Sequence, residues 1–147
     1  GSYLWTVNLH SISLWFKTSQ ANGRIFSEDQ QDPNVDGAIF YLSSGKLCFK
    51  ELGAYCSANN FNDNNWHHVA VARLNASTFY IYTDGAYLAT ISASGSYNDG
   101  GSLVLLGRDV EGDGPGYDYF SGIVDDIRIY SRALSAAEIM ALYNATR

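Results

Sequence analysis

The sequence predicts an all-β sandwich finished by one short C-terminal helix, and three observations carry that prediction. The composition is rich in Tyr, Phe, Ile, Val and Thr, and 14 Gly against 2 Pro suit many short strands joined by glycine turns. Apolar and polar residues alternate with period two in segment after segment, whereas a helical pattern occurs only near the end. The length of 147 residues fits one domain, large enough to bury about 70% of its unfolded surface without crosslinks. Residues 1–147 are therefore read as a single domain. Gly1 and Ser2 read as a tag-cleavage scar, which implies a domain excised from a larger protein.

Ser11–Thr18 sets Ile12, Leu14 and Phe16 against Ser13, Trp15 and Lys17, the pattern of a half-buried strand. A turn at Asn22-Gly23 leads to a short strand over Arg24–Ser27, then to an acidic loop over residues 28–36. Ala38–Leu42 is the next strand, and Ser44-Gly45 turns the chain into a hairpin whose arms hold Cys48 and Cys56. Asn59–Asn65 is a polar loop of the kind that takes up unusual backbone angles. Trp66–Arg73 alternates His67, Val69 and Val71 with His68, Ala70 and Ala72, which predicts a core-packing His67 and a surface His68. Thr78–Thr83 meets Asp84-Gly85, a strong hairpin signal, and Ala86–Ala93 returns from it. After a loop from Gly95 to Gly101, Ser102–Gly107 is an apolar strand, followed by a glycine-rich acidic loop over residues 108–118.

The last strand carries an irregularity. Ile127 and Ile129 share a face, but Val124 is out of phase with them. A bulge at Asp125-Asp126 would return all three to the core and re-aim one carboxylate. The helix beyond is specified locally: Ser135 and Glu138 form a capping box, and Leu134 is placed to staple onto Ile139. Met140 and Tyr143 extend the buried stripe.

Charge narrows the function. Of the 15 acidic residues, four lie in Glu28–Asp36 and six in Asp109–Asp126, and neither stretch contains Lys or Arg. With a net charge of −6 there is no basic footprint for nucleic acid. No apolar run is long enough to insert into a membrane. Acid-only loops suit a hard cation, or simply keep the protein soluble. Cys48 and Cys56 are favoured as a disulfide across their hairpin, with two free thiols the alternative. A disulfide would imply an oxidising, extracellular or cell-surface location.

Three blocks identify the chain further. Trp66-His-His-Val-Ala-Val71, Tyr80-Ile-Tyr-Thr-Asp-Gly85 and the closing Asp125-Asp-Ile-Arg-Ile-Tyr-Ser-Arg-Ala-Leu-Ser135 resemble the laminin-G-like branch of the concanavalin A-like lectin/glucanase sandwiches. Ile12-Ser-Leu-Trp-Phe16 is similar to that family's first strand, so the resemblance covers roughly residues 10–145. It implies a jelly-roll sandwich of two antiparallel sheets. It also implies a secreted or cell-surface module that binds glycans, cell-surface polysaccharides or proteins, often near a calcium ion at the sandwich rim. Pairing of the first and last strands, also implied, would let Trp15 and Arg128 stack on the outer face.

Catalysis is not expected. Retaining glycoside hydrolysis needs two carboxyl groups about 5–5.5 Å apart, and no strand carries alternating acids. Adjacent Asp125 and Asp126 would point apart on a regular strand. His67 and His68, on opposite faces, do not converge on a metal. Asp109, Glu111 and Asp113 with Gly114 resemble half a calcium loop, but Phe120 stands where an EF-hand needs a bidentate Glu. As a rim site, calcium would draw on Asp109, Glu111, Asp113 and Asp118, with Asp29, Asp32 or Asp36 from the other acidic loop, and on Asp125 if the bulge turns it outward. A glycan site is expected at Tyr117, Asp118 and Tyr119, where an aromatic face stacks on a sugar and a carboxylate accepts from hydroxyls. Asn60 and Asp63, with Asn62 and Asn64, form a second candidate. The function expected is a non-catalytic, lectin-like carbohydrate-binding or adhesion module. A protein-binding or spacer domain is the alternative.

Overall fold

The computed structural model describes residues 10–30, 38–50, 53–92, 102–108 and 119–147. In chain order its strands are β1 (His10–Lys17), β2 (Gly23–Gln30), β3 (Ala38–Ser43), β4 (Lys46–Lys50) and β5 (Ala54–Asn60). They continue with β6 (His67–Asn75), β7 (Thr78–Thr83), β8 (Ala86–Ser92), β9 (Ser102–Leu106) and β10 (Ile123–Tyr130), and helix α1 spans Ala136–Thr146. Two five-stranded sheets form a jelly-roll sandwich, one in the order β10-β1-β6-β7-β8 and the other β5-β4-β3-β2-β9. Neighbouring strands are antiparallel throughout.

Alternation places the core. Ile12, Leu14 and Phe16 of β1, Val69 and Val71 of β6 and Phe79 and Ile81 of β7 are buried against Ile25, Phe26, Phe40, Leu42, Leu47 and Phe49 of the facing sheet. The hairpins turn where the sequence indicates: Ser44-Gly45 and Asp84-Gly85 both have positive φ at each central residue, the twist that two-residue hairpins prefer. Strand β2 runs three residues beyond the expected Ser27. Glu28 and Asp29 pair with Val104 and Leu103 of β9, so the acids that read as a loop begin inside a strand.

The outer face of the first sheet is covered as well. Ala70 and Ala72 of β6 are small enough for α1 to lie directly on the sheet, and they bury against Leu134, Ile139 and Tyr82. The capping box forms: Ser135 Oγ accepts from the Glu138 amide at 3.2 Å, and Glu138 Oε2 accepts from the Ser135 amide at 2.8 Å. The Leu134 amide donates to Ser11 Oγ at 2.8 Å, which locks the helix entry onto β1. Three expectations are corrected by this cover. His68, expected at the surface, is buried at 1% exposure, while His67 packs on Phe16 and Phe61 of the core as expected. Trp15 points outward as expected, yet it lies beneath α1 and stacks on Tyr143 at 5.5 Å, not on Arg128. Met140 is exposed and does not extend the buried stripe.

The bulge in β10 is present. Ser13 pairs with Arg128 and Trp15 with Asp125, so β10 spends one extra residue there, and Asp126 takes φ 48°. Val124 packs on the core, but Ile127 and Ile129 are 37% and 43% exposed, contrary to expectation. Their phase is right, since Ile129 lies opposite buried Ile12. Their exposure arises because β10 is an edge strand, and the other sheet's edge, β9, likewise leaves Val104 and Leu106 uncovered.

Cys48 and Cys56 are directly opposed on β4 and β5, with Cα atoms 4.1 Å apart, and form a disulfide. Their sequence separation is only 8 residues, so the closed loop removes little entropy from the unfolded chain. The Cys48→Ala/Cys56→Ala double variant should lose about 2–3 kcal/mol of unfolding free energy. It should still unfold in one cooperative transition, which urea denaturation followed by tryptophan fluorescence will check.

Candidate functional site

The bulge and the end of α1 together make a pocket. Its volume is about 450 Å3, and it is lined by Trp15, Trp66, Asp125, Asp126, Tyr143, Thr146 and Arg147. A regular strand would send Asp125 and Asp126 to opposite faces. The extra residue and the left-handed Asp126 bring both carboxylates to the same cavity.

The far wall is fixed by Trp15. Its indole N–H donates to Thr146 Oγ1 at 2.8 Å, and that hydroxyl donates in turn to the Leu142 carbonyl at 2.8 Å. The Trp15 and Tyr143 rings stack with an interplanar angle of 21°. His68 lies behind both, its ring 5.3 Å from Trp15 and 6.0 Å from Tyr143. Burial holds its imidazole down to a pKa of about 4, so it is neutral near pH 7. The carboxylates each accept from an N–H. Asp125 Oδ1 takes the Asp126 amide at 2.7 Å, and Asp126 Oδ1 takes Arg128 Nε at 3.0 Å. Such groups serve as acceptors for ligand donors, which is a binding chemistry.

Trp66 is delivered by the polar loop that precedes β6. The Asn64 amide donates to the Thr18 carbonyl at 2.9 Å and the Phe61 amide to the Gly45 carbonyl at 2.8 Å. Asn64 sits at φ 62°. Asp63 Oδ1 accepts the Asn65 amide at 2.9 Å and faces His67 Nε2 at 3.0 Å, while His67 Nδ1 faces Asp84 Oδ2 at 2.9 Å. An imidazole clamped between two carboxylates thus ties the loop to the β7–β8 turn. Hydrogen bonding to Asp84, then to Asp63, raises the His67 pKa against the opposing effect of burial. Hydrogen bonds from Asn65, with the contact to His67, hold Asp63 at about 2. Held this way, the loop presents Trp66 with 41% of its surface exposed.

The sequence-derived candidates divide accordingly. Asp125 is in the pocket. Asp63 is engaged with His67 and Asn65, and Asn60 is exposed at the end of β5. Tyr119 is 72% exposed and bridges to Arg24 in the parallel sense. Asp29 lies in β2. Asp32, Asp36, Asp109, Glu111, Asp113, Tyr117 and Asp118 lie outside the described residues. Among the described residues, no three His, Cys, Asp or Glu side chains cluster as metal ligands. Sequence reasoning passed over Trp66 and the end of α1. The available signal was a tryptophan beside an Asn-rich loop, but its partners stand far away in sequence, Trp15 before it and Asp125 to Arg147 after it.

Comparison with known proteins fits this architecture. The family model Laminin_G_3, described as the Concanavalin A-like lectin/glucanases superfamily, matches residues 3–140. Domain 4 of AbnA, an extracellular arabinanase from Geobacillus stearothermophilus solved with arabinotriose, superposes with a TM-score of 0.68 at 21% identity. That match covers 93% of this chain and 67% of that one. The native heptameric SAP-like pentraxin of Limulus polyphemus gives a TM-score of 0.63 at 20% identity, over 95% and 71% of the two chains. Domains LG4-5 of the mouse laminin alpha1 chain give 0.65 at 16% identity, over 89% of this chain and 38% of that one. At these identities the likeness is one of fold. No curated protein matches the chain by sequence.

The two histidines behind the site respond to pH in opposite senses. The folded-state pKa of His67 is raised above 6.5, so its contribution to stability is complete below pH 6.5 and is lost as pH rises through the folded value. The folded-state pKa of His68 is depressed from 6.5 to about 4, so its contribution is present above pH 6.5 and is lost between there and pH 4. His68→Phe should therefore abolish an acid-induced loss on the order of 3 kcal/mol. His67→Asn should cost most below pH 6.5 and progressively less above it. Urea unfolding from pH 4 to 9 measures both.

Proposed function

The chain belongs to the concanavalin A-like lectin/glucanases superfamily, and from that membership we propose that it is a non-catalytic, lectin-like carbohydrate-binding module of a secreted or cell-surface protein. The observation that carries this reading is the pocket beside α1, where the exposed Trp66 face stands near the carboxylates of Asp125 and Asp126. Sugar rings stack on aromatic faces through their C–H edges, while carboxylates accept from hydroxyls. Apart from Trp66, which its hydrogen-bonded loop presents, the walls come from strands β1 and β10 and the end of α1, elements that pre-organise a site. A pocket of this volume falls within the ordinary range for small-ligand sites. A domain of the same fold is solved holding arabinotriose, and the disulfide suits an extracellular location. Among the described residues, no helix is long and apolar enough to cross a membrane.

The proposal includes calcium. Asp109, Glu111 and Asp113, with Asp29 or Asp32, carry the ligand chemistry for it, and Tyr117, Asp118 and Tyr119 remain a second place for the glycan. Among the described residues, one observation favours a protein-binding or spacer role instead. Edges β9 and β10 expose Val104, Leu106, Ile123, Ile127 and Ile129, apolar side chains that a neighbouring domain would cover.

A glycan array probed with millimolar calcium and with chelator tests the reading. On a glycan that binds, Trp66→Ala should weaken affinity by about 1–3 kcal/mol, borrowing the range for planar bases stacked on aromatic side chains, with folding intact. If Tyr117→Ala weakens binding and Trp66→Ala does not, the site is on the rim. Chelator should lower the melting temperature by mass action, and Asp109→Ala or Asp113→Ala should remove that difference. Absence of binding to every glycan would favour the protein-binding role.

A further inference from the structure

We propose that the sugar taken by the pocket beside α1 carries a protonated amine, so that the ligand class is a glycan containing de-N-acetylated hexosamine; this rests on the glycan-binding reading above. The two carboxylates lining the cavity are not equivalent. Asp126 is paired with the Arg128 guanidinium at 3.0 Å, so its charge already has a partner. Among the described residues, Asp125 accepts a neutral backbone amide at 2.7 Å and has no cationic partner, leaving its charge available at the pocket wall. Beside it stands Trp66, the aromatic side chain whose face attracts cations most strongly.

The protein itself seats a cation on this wall. The Arg147 guanidinium lies 5.9 Å from the centroid of the Tyr143 ring, and both residues line the cavity. A cation at the mouth of an aromatic and acidic pocket is a competitor for an incoming one. A chain of net charge −6 also attracts cationic ligands over a distance. A neutral sugar would draw on the Trp66 face and on hydroxyl hydrogen bonds to the carboxylates, whereas an amino sugar would add to these a charge–charge attraction to Asp125.

The experiment is isothermal titration of the protein with chitosan oligosaccharides and, in parallel, with N-acetylated chitin oligosaccharides of the same length. The deacetylated series should bind roughly five-fold or more tightly, with affinity falling as salt is raised and as pH rises through the amine's own pKa. Asp125→Asn should bring the two series to equal affinity. Arg147→Ala should strengthen binding of the deacetylated series, the opposite sign from Asp125→Asn, and a merely structural role for either residue would not produce that reversal. Equal binding of both series by the parent protein overturns the amino-sugar assignment and leaves the glycan-binding reading standing. Absence of binding to either series overturns the amino-sugar assignment alone, because the array of other glycans decides the broader reading.

Discussion

Strands β1 and β6 are buried on both faces, and the remaining architecture is arranged to make that possible. A strand in an antiparallel sandwich ordinarily has one wet face. Here the inner face carries Ile12, Leu14, Phe16, Val69 and Val71, while the outer face carries Ser11, Ser13, Trp15, His68, Ala70 and Ala72, all buried. Small and hydrogen-bonding residues on that outer face leave room for a helix and give it something to hold. Ser11 takes the amide of Leu134, and Trp15 reaches Thr146 near the helix's far end. The helix is thus fixed at both ends by the strand it covers. The pocket is the space left where its last turn passes the β10 bulge.

This double burial explains which parts of the molecule the sequence makes legible. Period-two alternation finds strands, and local capping chemistry finds the helix start, because both depend on residues close in sequence. The bulge was legible for the same reason: Val124 is out of step with Ile127 within a single strand. Where the helix lies was not legible, since Ala70 and Ala72 read equally as a wet face and as a landing site. That ambiguity is why His68 reads as a surface residue yet lies buried beneath the helix, while His67 keeps its expected place against the core. The exposed Ile127 and Ile129 show a different limit. Alternation reports which face a residue is on, and it is silent about whether the strand is the last in its sheet. Runs of acids read as loops for the further reason that charge favours solvent, although the backbone of Glu28 and Asp29 continues β2 by pairing with β9.

The candidate site was legible only in part, through Asp125, because its other walls come from three separate places in the chain. Trp15 is on β1, Trp66 closes a loop, and Tyr143, Thr146 and Arg147 belong to the helix and its end. No local pattern links them; the strand pairing does. Trp15 is opposite Asp125 on one side and His68 on the other, so one row across the sheet sets the floor of the cavity and the residues that brace it.

Backbone strain points to the same row. A non-glycine residue in the left-handed region costs on the order of 1 kcal/mol, less for Asp than for most because its short side chain can bond locally. Asp126 takes that conformation in the middle of a strand, away from any hairpin turn. Its Arg128 contact offsets part of the cost, but both groups are exposed enough for solvent to weaken the pair. Packing offsets another part, since the bulge sets Val124 on the core in phase with Ile129, although Ile127 and Ile129 stay exposed because β10 is the sheet edge. Ser44 and Asp84 are different, because their left-handed angles are required to turn a hairpin. What the bulge does accomplish is to bring a second carboxylate into the cavity beside Trp66. The same distortion thus serves the core through Val124 and the cavity through Asp126, and bulges characteristically re-aim side chains in this way.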